Sequence, residues 1–137
     1  MDILSVSASV VGLVAAATKI TTALYTFTSA VQDAPRIARS VIGETEALTA
    51  IFSQLNGALR MKPDRMSMTT VEQFVGVLTR CVLTFAELEE EIDGLELDKG
   101  VVDRVRWTMK QQVLTEIMAE LQQQKLSLTL MIGIWNW

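Results

Sequence analysis

Between Ile3 and Gln32 the chain carries a single charged residue, Lys19. A run of that kind must be covered, either by the rest of the protein or by something outside it. As one helix it would be about 45 Å long, and its first half alone approaches the ~20 apolar residues that cross a bilayer. Ser, Thr, Ala and Gly are scattered through it, so it is less apolar than an ordinary anchor. Two roles are expected of it in different states: the most buried helix of a soluble bundle, and a segment that leaves the bundle and enters a membrane.

The rest of the chain decides what the bundle is. Its 137 residues suit one domain with a single core, and half of them are apolar while only two are proline and seven glycine. Few stretches alternate apolar with polar residues, which favours an all-α fold. The spacing predicts four main helices, over about 3–32, 35–60, 69–93 and 110–134, with a short extra helical piece near 98–108. Whether that piece is continuous with the last helix is open from pattern alone. Residues 1–137 are expected to form one domain, and the apolar tail Ile134-Trp-Asn-Trp137 suggests the N-terminal part of a longer chain.

Local signals set the boundaries. Asp2 or Ser5 can accept the free amides of the first helix. Asp33-Ala-Pro35 interrupts the chain and restarts it, with proline suited to a first helical turn. Met61 to Ser67 has a proline, mixed charge and no period, and is expected as a loop. Thr69 and Glu72 match a capping box. The second helix should bury Ile37, Val41, Leu48, Ile51, Phe52, Leu55 and Leu59, and place Arg36, Arg39, Glu44, Glu46 and Gln54 in water. The third should bury Val71, Phe74, Val75, Leu78, Cys81, Val82, Phe85, Leu88 and Ile92. The last should bury Val113, Leu114, Ile117, Leu121, Leu128 and Ile132. In the first helix Ile20, Leu24, Phe27 and Val31 form an apolar stripe, and Ala8, Gly12 and Ala16 share one face at small-xxx-small spacing. That spacing suits close helix approach, in a membrane dimer or a tight bundle.

The chemistry this chain can perform is narrow. It has no histidine, which removes the commonest general base and every histidine-containing zinc site. No phosphate-cradling glycine loop and no G-x-S-x-G elbow occurs. The acidic stretch Glu87 to Asp98 fails as a calcium loop because Leu95 and Leu97 stand where oxygen ligands are needed after Asp93. It is expected as a solvated face, although its carboxylates oppose the helix dipole. The net charge of −4, with no basic stripe, gives no reason to bind nucleic acid. Cys81, the single cysteine, lies among Val77, Leu78, Val82 and Leu83 and is expected as a buried, inert thiol. A secretory signal is disfavoured by the acid at position 2 and by the uninterrupted sequence after Ala15-Ala-Ala17. No catalytic, cofactor-binding or metal-binding residue is expected, and the chain is expected not to be an enzyme.

The opening Met1-Asp-Ile-Leu-Ser-Val-Ser-Ala-Ser-Val-Val-Gly-Leu13 resembles the start of the HeLo-like domains at the head of fungal STAND receptors. Further matches follow in order: Asp33-Ala-Pro35, the Glu44–Leu48–Leu55 spacing, Arg104-Val-Arg-Trp107, and Leu121 to Leu130. Each is soft, and the ordered set is more specific than any member. The resemblance implies a helical bundle that acts in programmed cell death, self/non-self recognition and heterokaryon incompatibility. It also implies a downstream NACHT and repeat module in the same chain. A trigger would oligomerise such a bundle, release its first helix and permeabilise a membrane, moving the protein from cytoplasm to plasma membrane. Carried onto this chain, Ile3, Leu4, Val6, Val10, Val11, Leu13 and Val14 would insert into lipid, with Ala8, Gly12 and Ala16 as the packing face. Insertion ending at Lys19 would leave its ammonium near the head groups. The alternative is a non-lytic adaptor bundle that oligomerises or binds a like domain.

Overall fold

Leucine, valine, isoleucine and phenylalanine recurring three and four residues apart give every helix a stripe that has to be covered, and four such stripes close on one another. The computed structural model describes residues 3–30, 36–61, 67–97 and 104–135. They form α1 (Ile3–Ala30), α2 (Arg36–Met61), α3 (Met68–Leu97) and α4 (Arg104–Trp135), with no strand among the described residues. α1 packs on α2 and α3, and α4 packs on the same two helices from the other side. Ser7 meets Asn56 while Tyr25 reaches Glu46, so α1 and α2 run antiparallel. Thr84 faces Glu120 while Phe74 stacks edge-on against Trp135, so α3 and α4 do as well.

One core runs through the bundle. Val6, Val10, Leu13, Ile20 and Leu24 of α1 meet Val41, Leu48, Phe52 and Leu55 of α2, Phe74, Leu78, Phe85 and Leu88 of α3, and Leu114, Leu121 and Leu128 of α4. Phe52 and Phe85 meet edge to face at 6.1 Å between ring centres, joining α2 to α3 across the middle. Leu48 and Leu55, the two leucines of the spaced motif that begins at Glu44, have no exposed surface. That motif is a packing stripe.

Several expectations need correction. The last helix starts at Arg104 rather than near 110, so residues 104–108 of the expected extra piece belong to α4. No proline or glycine lies between Val101 and Ile132 to interrupt it. α3 runs through Gly94 to Leu97, past the expected end at 93, because one glycine costs a helix only about 1 kcal/mol and Leu88 and Ile92 hold that end in the core. Its cap is Ser67, not Thr69. The Ser67 hydroxyl oxygen accepts from the Thr70 amide at 3.2 Å, and the Thr70 hydroxyl sits 2.8 Å from it. Val82 is half exposed, because it lies one position round from the buried Cys81 and Phe85. Glu44, expected in water, is mostly covered and ion-paired to Lys125 at 2.8 Å. The expected signals at Asp2, Val31, Asp33-Ala-Pro35 and the remainder of the 98–103 segment lie outside the described residues, as do the side chains of Ser5 and Phe27.

Candidate membrane-active helix and its groove

α1 is long and apolar enough to cross a bilayer over Val6–Thr26, 21 residues with a mean hydropathy of 1.5. Only 28 % of that window is buried inside the bundle. It is therefore not a helix enclosed on all sides. Val6, Val10, Leu13, Ala17, Ile20 and Leu24 face inward, and the intervening residues face solvent or sit at the edges. Of the expected inserting residues, Val6, Val10 and Leu13 are core, Val14 is half-buried and Val11 is 54 % exposed. The side chains of Ile3 and Leu4 lie outside the described residues.

The small-residue face does not sit at a tight crossing. Ala8 and Gly12 are exposed and Ala16 is half-buried. A Cβ placed on Gly12 would meet nothing within 4 Å. Gly12 and Ala16 instead line, with Ser9 and Leu13, one wall of an open groove of about 360 Å³ between α1 and α3. Val82, Phe85, Ala86 and Glu89 form the opposite wall. Small side chains here keep the groove open, so within this bundle the close helix approach that their spacing suits is not made.

Threonine hydroxyls on α1 are satisfied as they are on the other three helices, by the carbonyl four residues back. The hydroxyls of Thr18, Thr22 and Thr26 donate to the carbonyls of Val14, Thr18 and Thr22 at 2.9, 2.9 and 3.0 Å. Each is thus bonded within its own helix and needs no water. Side-chain ties from α1 to α2 among the described residues include these: the Ser7 hydroxyl donates to Asn56 Oδ1 at 3.1 Å, and the Tyr25 hydroxyl donates to Glu46 at 2.7 Å. That bond to a carboxylate, with the charge behind it, raises the Tyr25 pKa.

Elsewhere, the Cys81 thiol has no exposed surface, and burial pushes its pKa up to about 12. A thiol held protonated is a poor nucleophile. Among the described residues no group of three or more His, Cys, Asp or Glu side chains is placed to hold a metal ion. A second groove, between α3 and α4, gathers Arg80, Thr84, Glu87, Glu120 and Gln124. Two of these, Thr84 and Gln124, were not expected in the core, although the stripe carries a signal for them. Thr84 stands between Cys81 and Leu88, and Gln124 between Leu121 and Leu128, so both fall on buried positions despite being polar.

The comparisons with known proteins agree with the extent of the bundle. No curated protein and no solved structure matches the chain. A family model described as "Pigment biosynthesis cluster protein PigL N-terminal" matches residues 1–134, so it takes in α1, α2, α3 and all of α4 but its last residue. The chain belongs to the PigL N-terminal family.

Proposed function

We propose that this domain is a membrane-targeting cell-death effector: oligomerisation frees α1 from the bundle, and α1 then permeabilises a membrane. In this reading the resting protein is a cytoplasmic bundle, the active one an oligomer at the plasma membrane. A downstream NACHT and repeat module in the same chain provides the trigger, in fungal self/non-self recognition or immunity. The family match supports the coarser part of this reading, a fungal N-terminal domain.

The observation that carries the proposal is the Val6–Thr26 window, apolar enough to span a bilayer yet mostly outside the core. The Thr18 hydroxyl is compatible with it. A hydroxyl entering lipid without a partner is costly, whereas that of Thr18, on the segment that ends at Lys19, carries its partner with it. The helix arrangement supports it as well. With α1 gone, α2 and α3 would still be joined through α4.

Release needs a trigger. Five large α1 side chains, Val6, Val10, Leu13, Ile20 and Leu24, are at most 2 % exposed. Uncovering them costs roughly 10 kcal/mol, and the facing surfaces add a comparable amount. Lipid or oligomer contacts have to replace that burial, so a lone protomer stays closed. The test is dye release from anionic liposomes, with oligomerisation enforced by a fused module. The parent is expected to leak, and a folded Val11→Asp, Gly12→Arg variant to be silent. Leakage that persists in that variant, or after deletion of residues 1–20, removes the proposal.

A second reading, a non-lytic adaptor, has one observation in its favour: the open apolar groove beside Gly12, a natural seat for another helix. It predicts concentration-dependent oligomers without lipid, and Gly12→Arg would abolish them. A strictly monomeric protein counts against it.

A further inference from the structure

The groove between α3 and α4 lies on the opposite flank of α3 from α1's groove, and neither reading above uses it. It encloses about 350 Å³ and is lined by Arg80, Thr84, Glu87, Glu120, Gln123 and Gln124, among others. Gln124 is only 7 % exposed, so its amide must be satisfied inside the protein. One end is. Its nitrogen donates to Thr84 Oγ1 at 2.6 Å and approaches the Arg80 carbonyl at 3.4 Å. With the nitrogen on this side the amide makes both bonds, whereas the reverse orientation keeps only one, from the Thr84 hydroxyl, and so the nitrogen is placed here. The other end, Gln124 Oε1, is buried and has no hydrogen-bond partner among the described residues.

A second acceptor, the exposed Glu120 carboxylate, stands beside it. The Thr84 hydroxyl has one hydrogen but two acceptors within reach, the Arg80 carbonyl at 2.9 Å and Glu120 Oε2 at 3.2 Å. The carbonyl is nearer. Glu120 and Gln124 are four residues apart on α4 and therefore lie on the same helix face. Glu87 adds another carboxylate to the lining. The groove is thus lined by acceptors in excess, and the buried one, Gln124 Oε1, comes within a ligand's reach when the rim side chains move aside.

We propose that this groove is a binding site for an N–H-rich organic cation, of the alkylammonium or guanidinium class. Such a group carries three to five donors on one small centre, enough to serve Gln124 Oε1 and Glu120 together. Val77 and Leu83 on the lining would cover an attached carbon chain. Arg80, Glu87, Glu120 and Gln123 are exposed, so the rim can shift to admit the ligand. Arg80, the groove's own cation, competes with it.

Methylguanidinium and methylammonium titrated into ¹⁵N-labelled protein test this, with acetate as the control. The side-chain amide of Gln124 and the backbone amide of Thr84 should shift with a Kd of about millimolar, the range open to so few atoms. Gln124→Met, which keeps the volume, and Glu120→Gln should each weaken binding roughly tenfold or more while circular dichroism stays unchanged. Arg80→Ala should tighten it. An arginine-containing tripeptide distinguishes sources: binding as tight as methylguanidinium points to a partner's side chain, no binding to a free amine. No shift with either cation, an undiminished shift in Gln124→Met, loss of binding in Arg80→Ala, or acetate binding in their place would each overturn the proposal.

Discussion

Val10 and Val11 are neighbours with opposite surroundings, and the same substitution at each separates folding from insertion. Val11 is 54 % exposed, so Val11→Asp leaves its carboxylate in water and should change folding stability by no more than about 0.5 kcal/mol. In lipid the balance reverses. An aspartate near the middle of a spanning segment costs about 3 kcal/mol, and position 11 is central if insertion ends at Lys19. That lowers the inserted fraction roughly a hundredfold per protomer, since every 1.4 kcal/mol is a factor of ten. Val10 has no exposed surface, so Val10→Asp loses about 2 kcal/mol of burial and adds several for the enclosed carboxylate. The assay pairs urea unfolding with dye release from anionic liposomes, under enforced oligomerisation. Val11→Asp should unfold at the parental midpoint and leak at about one hundredth of the parental rate, while Val10→Asp should fail to fold. A stable Val11→Asp protein that leaks like the parent would refute insertion of this segment.

Replacing Thr18, Thr22 and Thr26 together by valine should leave both the urea midpoint and leakage near parental values, because the three hydroxyls bond only within α1. A large fall in leakage would show that they line a wet pore. Phe52→Ala, at a site without exposed surface that stacks on Phe85, should cost about 3–5 kcal/mol in urea unfolding. Cys81 should resist alkylation in the native state at pH 8 and react at once when unfolded. Its pKa is raised from an ordinary 9.0 to about 12, so the unfolded chain releases the proton first and stability should fall as pH rises across that interval. Cys81→Ala should remove that part of the alkaline loss, as read from unfolding midpoints. Lys125→Met, which strips the partner from a largely covered Glu44, should destabilise by about 1 kcal/mol, with the loss reduced in Glu44→Gln, Lys125→Met.

Apolar periodicity is a property of the chain alone, because a helix places residues three and four apart on one face whatever surrounds it. The all-α class, the identity of α2 and the core roles of Leu48, Leu55, Phe74, Phe85, Leu114 and Leu128 were legible for that reason. So was the spanning length of α1. Which side of each stripe meets a neighbour depends on how the helices are arranged, and that the pattern does not contain. Val82 and the Gly12 face stand at the margins of their stripes, where a small rotation of the helix decides between core and groove. Glu44 and Lys125 are far apart in sequence and meet only because α2 packs on α4. Thr84 and Gln124 occupy core positions that their polarity disguised, and their bond exists only because α3 lies against α4. Local spacing determined the helices and their apolar faces, whereas the grooves, the ion pair and the buried amide arise from contacts between distant segments and so were decided by the tertiary structure alone.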